Sequence, residues 1–190
     1  MLSVAVFCGS RLGHDPAYAE SARTLGRGLA EAGMTLVYGG GRVGLMGVVA
    51  DAAMAAGGRV RGVIPDFLVK WEVAHKGVTD MEVTDTMHSR KHRMFERADA
   101  FVTLPGGIGT MDETIEVLSW RQLRLHAKPI LICDVGGSAR AFVSAIDAAV
   151  EQGFASAEVR AYIEVLAGPG AVLARLAELP VRAGGLAERL

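Results

Sequence analysis

A glycine-rich turn followed by an acidic residue occupies residues 104–113, with the sequence Leu-Pro-Gly-Gly-Ile-Gly-Thr-Met-Asp-Glu. It follows an apolar run, 100–104, and precedes a helical pattern, 111–125, so it joins a predicted strand to a predicted helix. The free N–H groups and the positive dipole end of such a helix favour binding of a phosphate. Glu113 adds a carboxylate one turn further along. We therefore expect an anion site beside a catalytic acid or base.

The same turn differs from the phosphate loop of nucleoside triphosphatases. That loop ends in Gly-Lys-Ser/Thr, whose lysine reaches the β and γ phosphates, whereas here Gly109 and Thr110 are followed by Met111. The turn is suited to a single phosphate, held by backbone N–H groups and the Thr110 hydroxyl. The sequence thus favours a nucleoside monophosphate or a sugar phosphate as the ligand.

A basic cluster, 86–93, begins a second predicted helix, which Asp85 or Thr86 can cap. The cap places Arg90 in the first turn, where it either enters the site and pairs with a phosphate or with Glu113, or belongs to a solvated basic face. His88 and His92 are spaced like zinc ligands on one helix face, but no third ligand is evident. We predict no metal site and no bound cofactor.

Glycine-rich turns also follow two other predicted strands, at residues 8–13 and 39–44. The second fits G-x-G-x-x-G, and Asp66 lies where a ribose-binding acid would be sought in a dinucleotide site. However, this turn follows the second strand, and little chain remains for the substrate domain of a dehydrogenase. We interpret the turns as backbone that closes around one ligand, with tight turns between elements as the simpler alternative.

The elements that position these turns alternate along nearly the whole chain. Continuous apolar runs predict strands buried on both faces, and their alternation with helices predicts an α/β fold with a doubly wound parallel sheet. The predicted strands are 2–7, 34–38, 60–64, 81–83, 100–104, 130–133 and 162–165, and the predicted helices are 17–32, 44–56, 89–98, 111–125, 139–152 and 170–179. We expect a single domain, 1–180, with a C-terminal tail, 181–190.

Composition excludes several classes of protein. A formal net charge of −1 over 190 residues gives no general attraction to nucleic acid or to a membrane surface. The chain has no basic leader and no apolar run of membrane-spanning length, and Cys8 and Cys133 both fall at predicted strand ends. We predict a cytoplasmic protein with two buried, reduced thiols.

Two signatures, Pro105-Gly-Gly-x-Gly-Thr-x-x-Glu113 and Met87-His-x-Arg-Lys91, together resemble the LOG (Lonely Guy) family of cytokinin riboside 5′-monophosphate phosphoribohydrolases, whose members were long labelled lysine decarboxylase-like. The similarity runs from about residue 4 to residue 165. Further matching stretches are 6–10, 38–47, 62–65 and 122–129. The chain departs from the family at Ile108, where many members carry an aromatic residue, and over 134–140, and both departures bear on base preference.

The resemblance implies a Rossmann-like subunit that forms a homodimer and hydrolyses the N-glycosidic bond of nucleoside 5′-monophosphates, including AMP, to free base and ribose 5-phosphate. Arg90 and Glu113 correspond to the catalytic pair, in which Glu113 stabilises the developing ribosyl cation and positions or deprotonates water. Arg90 orients this carboxylate and keeps it ionised. The implied substrate-binding residues are Gly9, Ser10, Gly40, Gly41, Met87, Gly106, Gly107, Ile108, Gly109 and Thr110.

Two other functions fit the same fold. A carrier protein of the molybdenum-cofactor type would bind a phosphorylated pterin without chemistry and would not need the Arg90–Glu113 pair. A lysine decarboxylase would need a lysine that holds pyridoxal phosphate, and none of the four lysines lies in a recognisable motif for that cofactor.

Overall fold

The computed structural model describes residues 1–71 and 73–180, which build one seven-stranded sheet. All six neighbouring pairs of strands are parallel, and the strand order is β4-β3-β2-β1-β5-β6-β7. The strands are β1 Ser3–Phe7, β2 Thr35–Tyr38, β3 Arg59–Pro65, β4 Asp80–Thr84, β5 Ala100–Thr103, β6 Ile130–Asp134 and β7 Ile163–Ala167. This topology confirms the doubly wound parallel sheet predicted from the alternation of elements.

Helices cover both faces of the sheet. Helices α1, α2 and α8 pack on one face, while α4, α5 and α6 enclose the other. Their bounds are α1 Pro16–Glu31, α2 Gly44–Ala55, α3 Asp66–Lys70, α4 Met87–Arg97, α5 Ile108–Gln122, α6 Arg140–Glu151, α7 Glu158–Ala161 and α8 Gly168–Ala177. No helix of the described chain is long and apolar enough to cross a membrane.

Each face of the sheet has its own apolar core, which explains why apolar residues in the central strands occupy successive rather than alternate positions. In β1, Val4 and Val6 face the α1–α2 side, whereas Ala5 and Phe7 face the α4–α5 side. All four side chains are almost completely buried. A strand that supplies two cores has no solvent face, so it loses the polar alternation of a one-sided sheet.

The predicted elements are confirmed, with two informative differences at helix starts. Helix α5 begins at Ile108 rather than at residue 111, so Gly109 and Thr110 belong to its first turn. Helix α4 begins at Met87 rather than at residue 89, because Thr86 and Ser89 form a reciprocal capping box. The two short helices α3 and α7 were not predicted, and the predicted tail, 181–190, lies outside the described residues.

The direction of winding reverses between β1 and β5, which are neighbours in the sheet although α1 to α4 lie between them in sequence. The loops that leave these two strands diverge to opposite faces and leave a crevice at the carboxyl edge. The β1–α1 loop, the β5–α5 loop and the loop after β2 all reach this edge. These are the three glycine-rich turns that the sequence singled out.

Candidate active site

A cleft of about 460 Å³ opens at the carboxyl edge of the sheet, beside the junction of β1 and β5. Its size falls within the range typical of small-molecule sites. Five of the segments that follow the strands contribute to it. The lining residues are Cys8, Ser10, Arg11, Gly39, Gly41, Val43, Met46, Ile64, Leu68, Val73, Arg90, Gly107, Ile108, Gly109, Thr110 and Glu113.

The first turn of α5 forms one wall of the cleft and presents backbone N–H groups to it. Its N-cap is Gly107, and no side chain caps the helix, so the amides at this end remain available to a bound anion. Thr110 is buried against Gly106, where a β-carbon would overlap the Thr110 hydroxyl oxygen. A glycine at position 106 therefore lets the turn close tightly onto the helix.

The peptide groups of Gly9 tie three loops of the site together. Its N–H donates to the Pro105 carbonyl at 3.1 Å, and its carbonyl accepts from Leu45 N–H, at the start of α2, at 3.0 Å. The start of α2 packs closely against the β1–α1 loop. This contact requires a glycine at position 44, since a β-carbon there would overlap the backbone of Ser10. The three turns are thus held in one fixed arrangement.

Arg90 projects from the first turns of α4 into the floor of the cleft, with only 7% of its surface exposed. Its Nε donates to the Val63 carbonyl and its Nη2 to the Gly39 carbonyl, both at 3.1 Å. Its Nη1 lies 3.5 Å from Oε1 of Glu113. Of the alternatives left open by the sequence, the structure therefore supports pairing with Glu113 and excludes a solvated face for Arg90.

Glu113 lies on the second turn of α5 and is 8% exposed. Burial raises the pKa of this carboxyl to about 7, even though the charge of Arg90 acts in the opposite direction. The charge of Arg90 favours the ionised form of Glu113, as expected from the sequence, but the loss of solvation has the larger effect on the pKa. A carboxyl group with such a pKa can exchange a proton near neutral pH, as a general acid or base must.

The lining of the cleft also includes a set of apolar residues, called here the apolar wall. It consists of Val43, Met46, Ile64, Leu68 and Val73. The segment after α3 is held against the loop after β2 by an antiparallel bridge between residues 41 and 74. Two further hydrogen bonds, from Arg42 N–H to Val73 and from His75 N–H to Gly40, fix this wall in place.

The structure brings most of the predicted site residues together. Arg90, Glu113, Ser10, Gly41, Gly107, Ile108, Gly109 and Thr110 line the cleft, whereas Gly9, Gly40, Met87 and Gly106 do not. Gly9 and Gly106 lie behind the lining, where their loops touch. Gly40 adopts a left-handed conformation with φ of 73°. Met87 is 39% exposed, and its sulfur accepts a long contact from Nη1 of Arg90 at 3.9 Å.

Sequence reasoning missed Arg11 and the apolar wall. Arg11 carried a signal, because it directly follows Ser10 in a predicted ligand-binding turn. No sequence feature indicated the apolar wall, because its residues come from separate segments that only the fold brings together. Cys8 also reaches the cleft, but burial, and then the nearby Glu113 carboxylate, raise the pKa of its thiol well above the ordinary value. Cys8 is therefore a buried thiol rather than a nucleophile.

Other candidate groups lie away from the cleft. Asp66 forms an ion pair with Lys70 on the surface of α3, so it does not serve as a ribose-binding acid. His92 contacts Glu96 on α4, and no cluster of potential metal ligands occurs among the described residues. No lysine contributes to the described lining of the cleft, and Lys91 is engaged by Asp112 and Glu116.

The fold and the site together define a Rossmann-like α/β protein with a ligand cleft at the switch point of its sheet. Residues 46–176 match the sequence profile of a family described as "Possible lysine decarboxylase". LOG7 of Arabidopsis thaliana, named as a cytokinin riboside 5′-monophosphate phosphoribohydrolase, is 44% identical over 84% of this chain and 74% of its own. A protein of the same name from Rhodococcoides fascians is 44% identical over 86% of this chain and 83% of its own. The chain belongs to this family, the LOG family.

Solved structures support the same fold at lower sequence identity. A molybdenum cofactor binding protein from Rippkaea orientalis aligns with a TM-score of 0.71 at 20% identity, over 93% of this chain and 95% of that one. The molybdenum cofactor carrier protein of Chlamydomonas reinhardtii aligns with a TM-score of 0.71 at 22% identity, over 93% and 96% of the two chains. At this identity the likeness establishes the architecture alone.

Proposed function

We propose that the protein hydrolyses the N-glycosidic bond of nucleoside 5′-monophosphates, with cytokinin riboside monophosphates and AMP as substrates. The observation that carries this proposal is the buried pair of Arg90 and Glu113, 3.5 Å apart, on the floor of a cleft that also contains the uncapped start of α5. The names of the relatives support the same reaction.

In this reaction the bond between C1′ of the ribose and the base nitrogen breaks, and its electron pair leaves with the base. Positive charge develops on the ribose, and the carboxylate of Glu113 stabilises it. A water oxygen then bonds to C1′, and the proton it loses passes to Glu113 and on to the departing base. The products are free base and ribose 5-phosphate. A pKa of about 7 suits Glu113 to this proton transfer.

Arg90 acts by positioning Glu113. Its guanidinium is anchored to two backbone carbonyls, those of Gly39 and Val63, and this leaves Nη1 directed towards the carboxylate. The planar group thus fixes Glu113 relative to a ligand in the cleft. Its charge also limits the rise in the pKa of Glu113, so that a useful fraction of carboxylate exists at neutral pH.

The two walls of the cleft fit the two ends of the substrate. The amides of Gly107, Ile108 and Gly109, together with the Thr110 hydroxyl, would hold the phosphate at the positive end of α5. The apolar wall would pack against the base. Binding energy from the phosphate would then orient the ribose at Glu113.

Product analysis with a pair of carboxylate variants tests the proposal. Wild-type protein should release base from AMP and from isopentenyladenosine monophosphate, and Glu113→Gln should lower the rate on the order of 100-fold or more. The matched control is Asp112→Asn, which removes a neighbouring carboxylate exposed on the same helix. No release by wild-type protein, or equal rates for Glu113→Gln and the control, would reject the proposal.

The carrier function is weaker on structural grounds. A protein that only holds a ligand has no use for a buried carboxyl with a pKa near 7, whereas a hydrolase does. A decarboxylase that uses pyridoxal phosphate would need a lysine at the ligand, and none lies in the described lining. Tight binding of AMP without release of base would favour the carrier.

We also infer that the protein acts as a homodimer in the cytoplasm. Ile108, Met111 and Ile115 form an exposed apolar stripe along α5, starting at the mouth of the cleft. The stripe continues into an apolar groove of about 470 Å³ between α5 and α6, which includes Phe142 and Ile146. Apolar surface of this extent is typical of protein interfaces. A second copy of the chain is the occupant that the family resemblance implies, and the two free, buried cysteines fit a reducing compartment.

A further inference from the structure

Arg90 alone cannot neutralise the negative charge that a phosphorylated ligand would bring into the cleft. Among the described lining residues the cationic side chains are Arg11 and Arg90. All three nitrogens of Arg90 are directed at protein atoms, with one carbonyl each for Nε and Nη2 and the Glu113 carboxylate for Nη1. A phosphate dianion that enters the cleft also meets a partly ionised Glu113. A second cation beside the α5 amides would offset the repulsion between the phosphate dianion and this carboxylate.

Arg11 lies where this second cation would be effective. It directly follows Ser10 in the β1–α1 loop, and it borders both the cleft and an adjoining cavity of about 220 Å³. That cavity is also lined by Pro105 and Gly106 of the turn before α5, so Arg11 lies beside the glycine-rich turn. Its side chain is exposed, and room on either side leaves it free to reorient towards an anion.

The backbone that carries Arg11 is held firmly, although its side chain is not. The preceding Gly9 is hydrogen-bonded to both Pro105 and Leu45. The absence of a β-carbon on Gly44 lets the start of α2 rest directly on the peptide between Ser10 and Arg11. A long cationic side chain on a fixed base can reach a ligand at the first turn of α5 with little rearrangement of the main chain.

We propose that Arg11 is the charge partner of the substrate phosphate and sets the preference for nucleoside monophosphates over nucleosides. This inference rests on the proposed function, since it assigns the phosphate to the α5 end of the same cleft. The guanidinium closes over the phosphate from the β1–α1 loop while the α5 amides hold it from the opposite side. Paired charge-assisted hydrogen bonds of guanidinium to phosphate supply both affinity and orientation.

Arg11 binds the phosphate of the ribosyl half of the substrate, so it does not act on the bond that breaks. Removing its charge should raise KM for AMP far more than it lowers kcat. Binding of ribose 5-phosphate, which carries the phosphate without a base, should be weakened to a similar extent. Binding of adenine should not change. This pattern would separate a phosphate partner from a residue that merely supports the wall of the cleft.

The test measures binding of AMP, ribose 5-phosphate and adenine by calorimetry, in a Glu113→Gln background that prevents turnover. Arg11→Gln should weaken the binding of AMP and of ribose 5-phosphate by a similar factor, about tenfold or more. Arg11→Lys should show an intermediate loss of affinity. The matched control is Arg59→Gln, which removes an exposed arginine at the opposite end of the sheet. It should bind like the parent protein.

Equal affinities of Arg11→Gln and Arg59→Gln for AMP would overturn the proposal, as would a loss for adenine as large as that for AMP. The thermal unfolding midpoint of each variant shows whether it remains folded. If Arg11→Gln does not fold, Arg11→Lys is compared with the parent protein instead. Failure here is distinct from failure of the proposed function. Binding can depend on Arg11 when no base is released, and hydrolysis can occur when Arg11 is dispensable.

Discussion

The guanidinium of Arg90 lies directly on the backbone of Gly39, and its Nη2 donates to the Gly39 carbonyl at 3.1 Å. The contact is so close that a β-carbon on Gly39 would overlap Nη2. The first glycine of the second turn therefore provides the space in which Arg90 reaches Glu113. This explains a glycine at position 39 without any contact between that glycine and a phosphate.

Replacing this glycine should impair catalysis by moving Arg90. We expect Gly39→Ala to lower kcat on the order of 100-fold, because small displacements of catalytic groups have effects of this size. The measurement is steady-state kinetics with AMP, combined with circular dichroism to verify folding. Gly170→Ala is the control, since a β-carbon there meets open space within α8. Similar kcat values for the two variants would contradict the positioning role of Gly39.

Substitutions of Arg90 should distinguish its geometry from its charge. Arg90→Ala should lose activity on the order of 100-fold, and Arg90→Lys should recover only part of it. A single ammonium group cannot satisfy the carbonyls of Gly39 and Val63 and also face Glu113. The measurement is kcat together with the kinetic pKa of each variant. Full recovery by lysine would show that charge alone is required.

The activity should depend on pH through Glu113. In the proposed reaction the carboxylate is the form of Glu113 that stabilises the ribosyl cation, and the pKa of this group is about 7. We therefore expect kcat/KM to fall as the pH is lowered through about 7, with the activity retained above it. A pH–rate profile corrected for ionisation of the substrate phosphate checks this. A profile that stays flat down to the ordinary range of a glutamate would contradict the assignment.

The stability of the protein should depend on pH in the opposite direction, with the contribution of Glu113 decreasing as the pH rises. Because the pKa of Glu113 is higher in the folded chain than its ordinary value of 4.5, the folded state binds more protons between about pH 4.5 and 7. The contribution of Glu113 to the free energy of unfolding is therefore present below this window and is lost as the pH rises through it. Urea unfolding of wild type and Glu113→Gln at pH 5 and 8 gives the difference. A wild-type advantage that grows with pH would instead show that attraction by Arg90 dominates.

Disrupting the α5 stripe should dissociate the proposed homodimer. Ile115 is 44% exposed at the end of the stripe that borders the groove between α5 and α6, so Ile115→Asp would place a charge in the proposed interface. We expect light scattering to show a dimer for wild type and a monomer for this variant. Val83→Asp, which changes a similarly exposed side chain on the edge strand β4, should leave the dimer intact. A monomeric wild type would reject the inferred assembly.

The sequence predicted the sheet well because the central strands β1, β2, β5 and β6 contain continuous apolar runs. It missed α3, Asp66–Lys70, because five residues directly after Pro65 offer no helical periodicity to detect. It also placed the start of α5 three residues late, since Gly107 and Gly109 indicated a loop. The helix nevertheless begins at Ile108. Its uncapped amides face the cleft, so helical propensity did not determine the boundary there.

Within the site, motifs located the side chains but could not report their surroundings. Arg90 and Glu113 were predicted to meet, and they do. The ionisation of Glu113 depends on how much solvent the fold removes, and no local sequence feature encodes this quantity. The same limit applies to the apolar wall, where Met46 and Val73 become neighbours of one cleft only through the order of the strands.

The hydrogen bonds at Gly9 have a consequence for how this site can diverge. Because one residue joins Pro105 to the start of α2, a change in the length of any of the three turns would disturb the other two. Side chains of the apolar wall, such as that of Leu68, can be replaced without altering the length of any turn. New base preferences can therefore evolve by single substitutions in this wall while the hydrolytic apparatus stays unchanged.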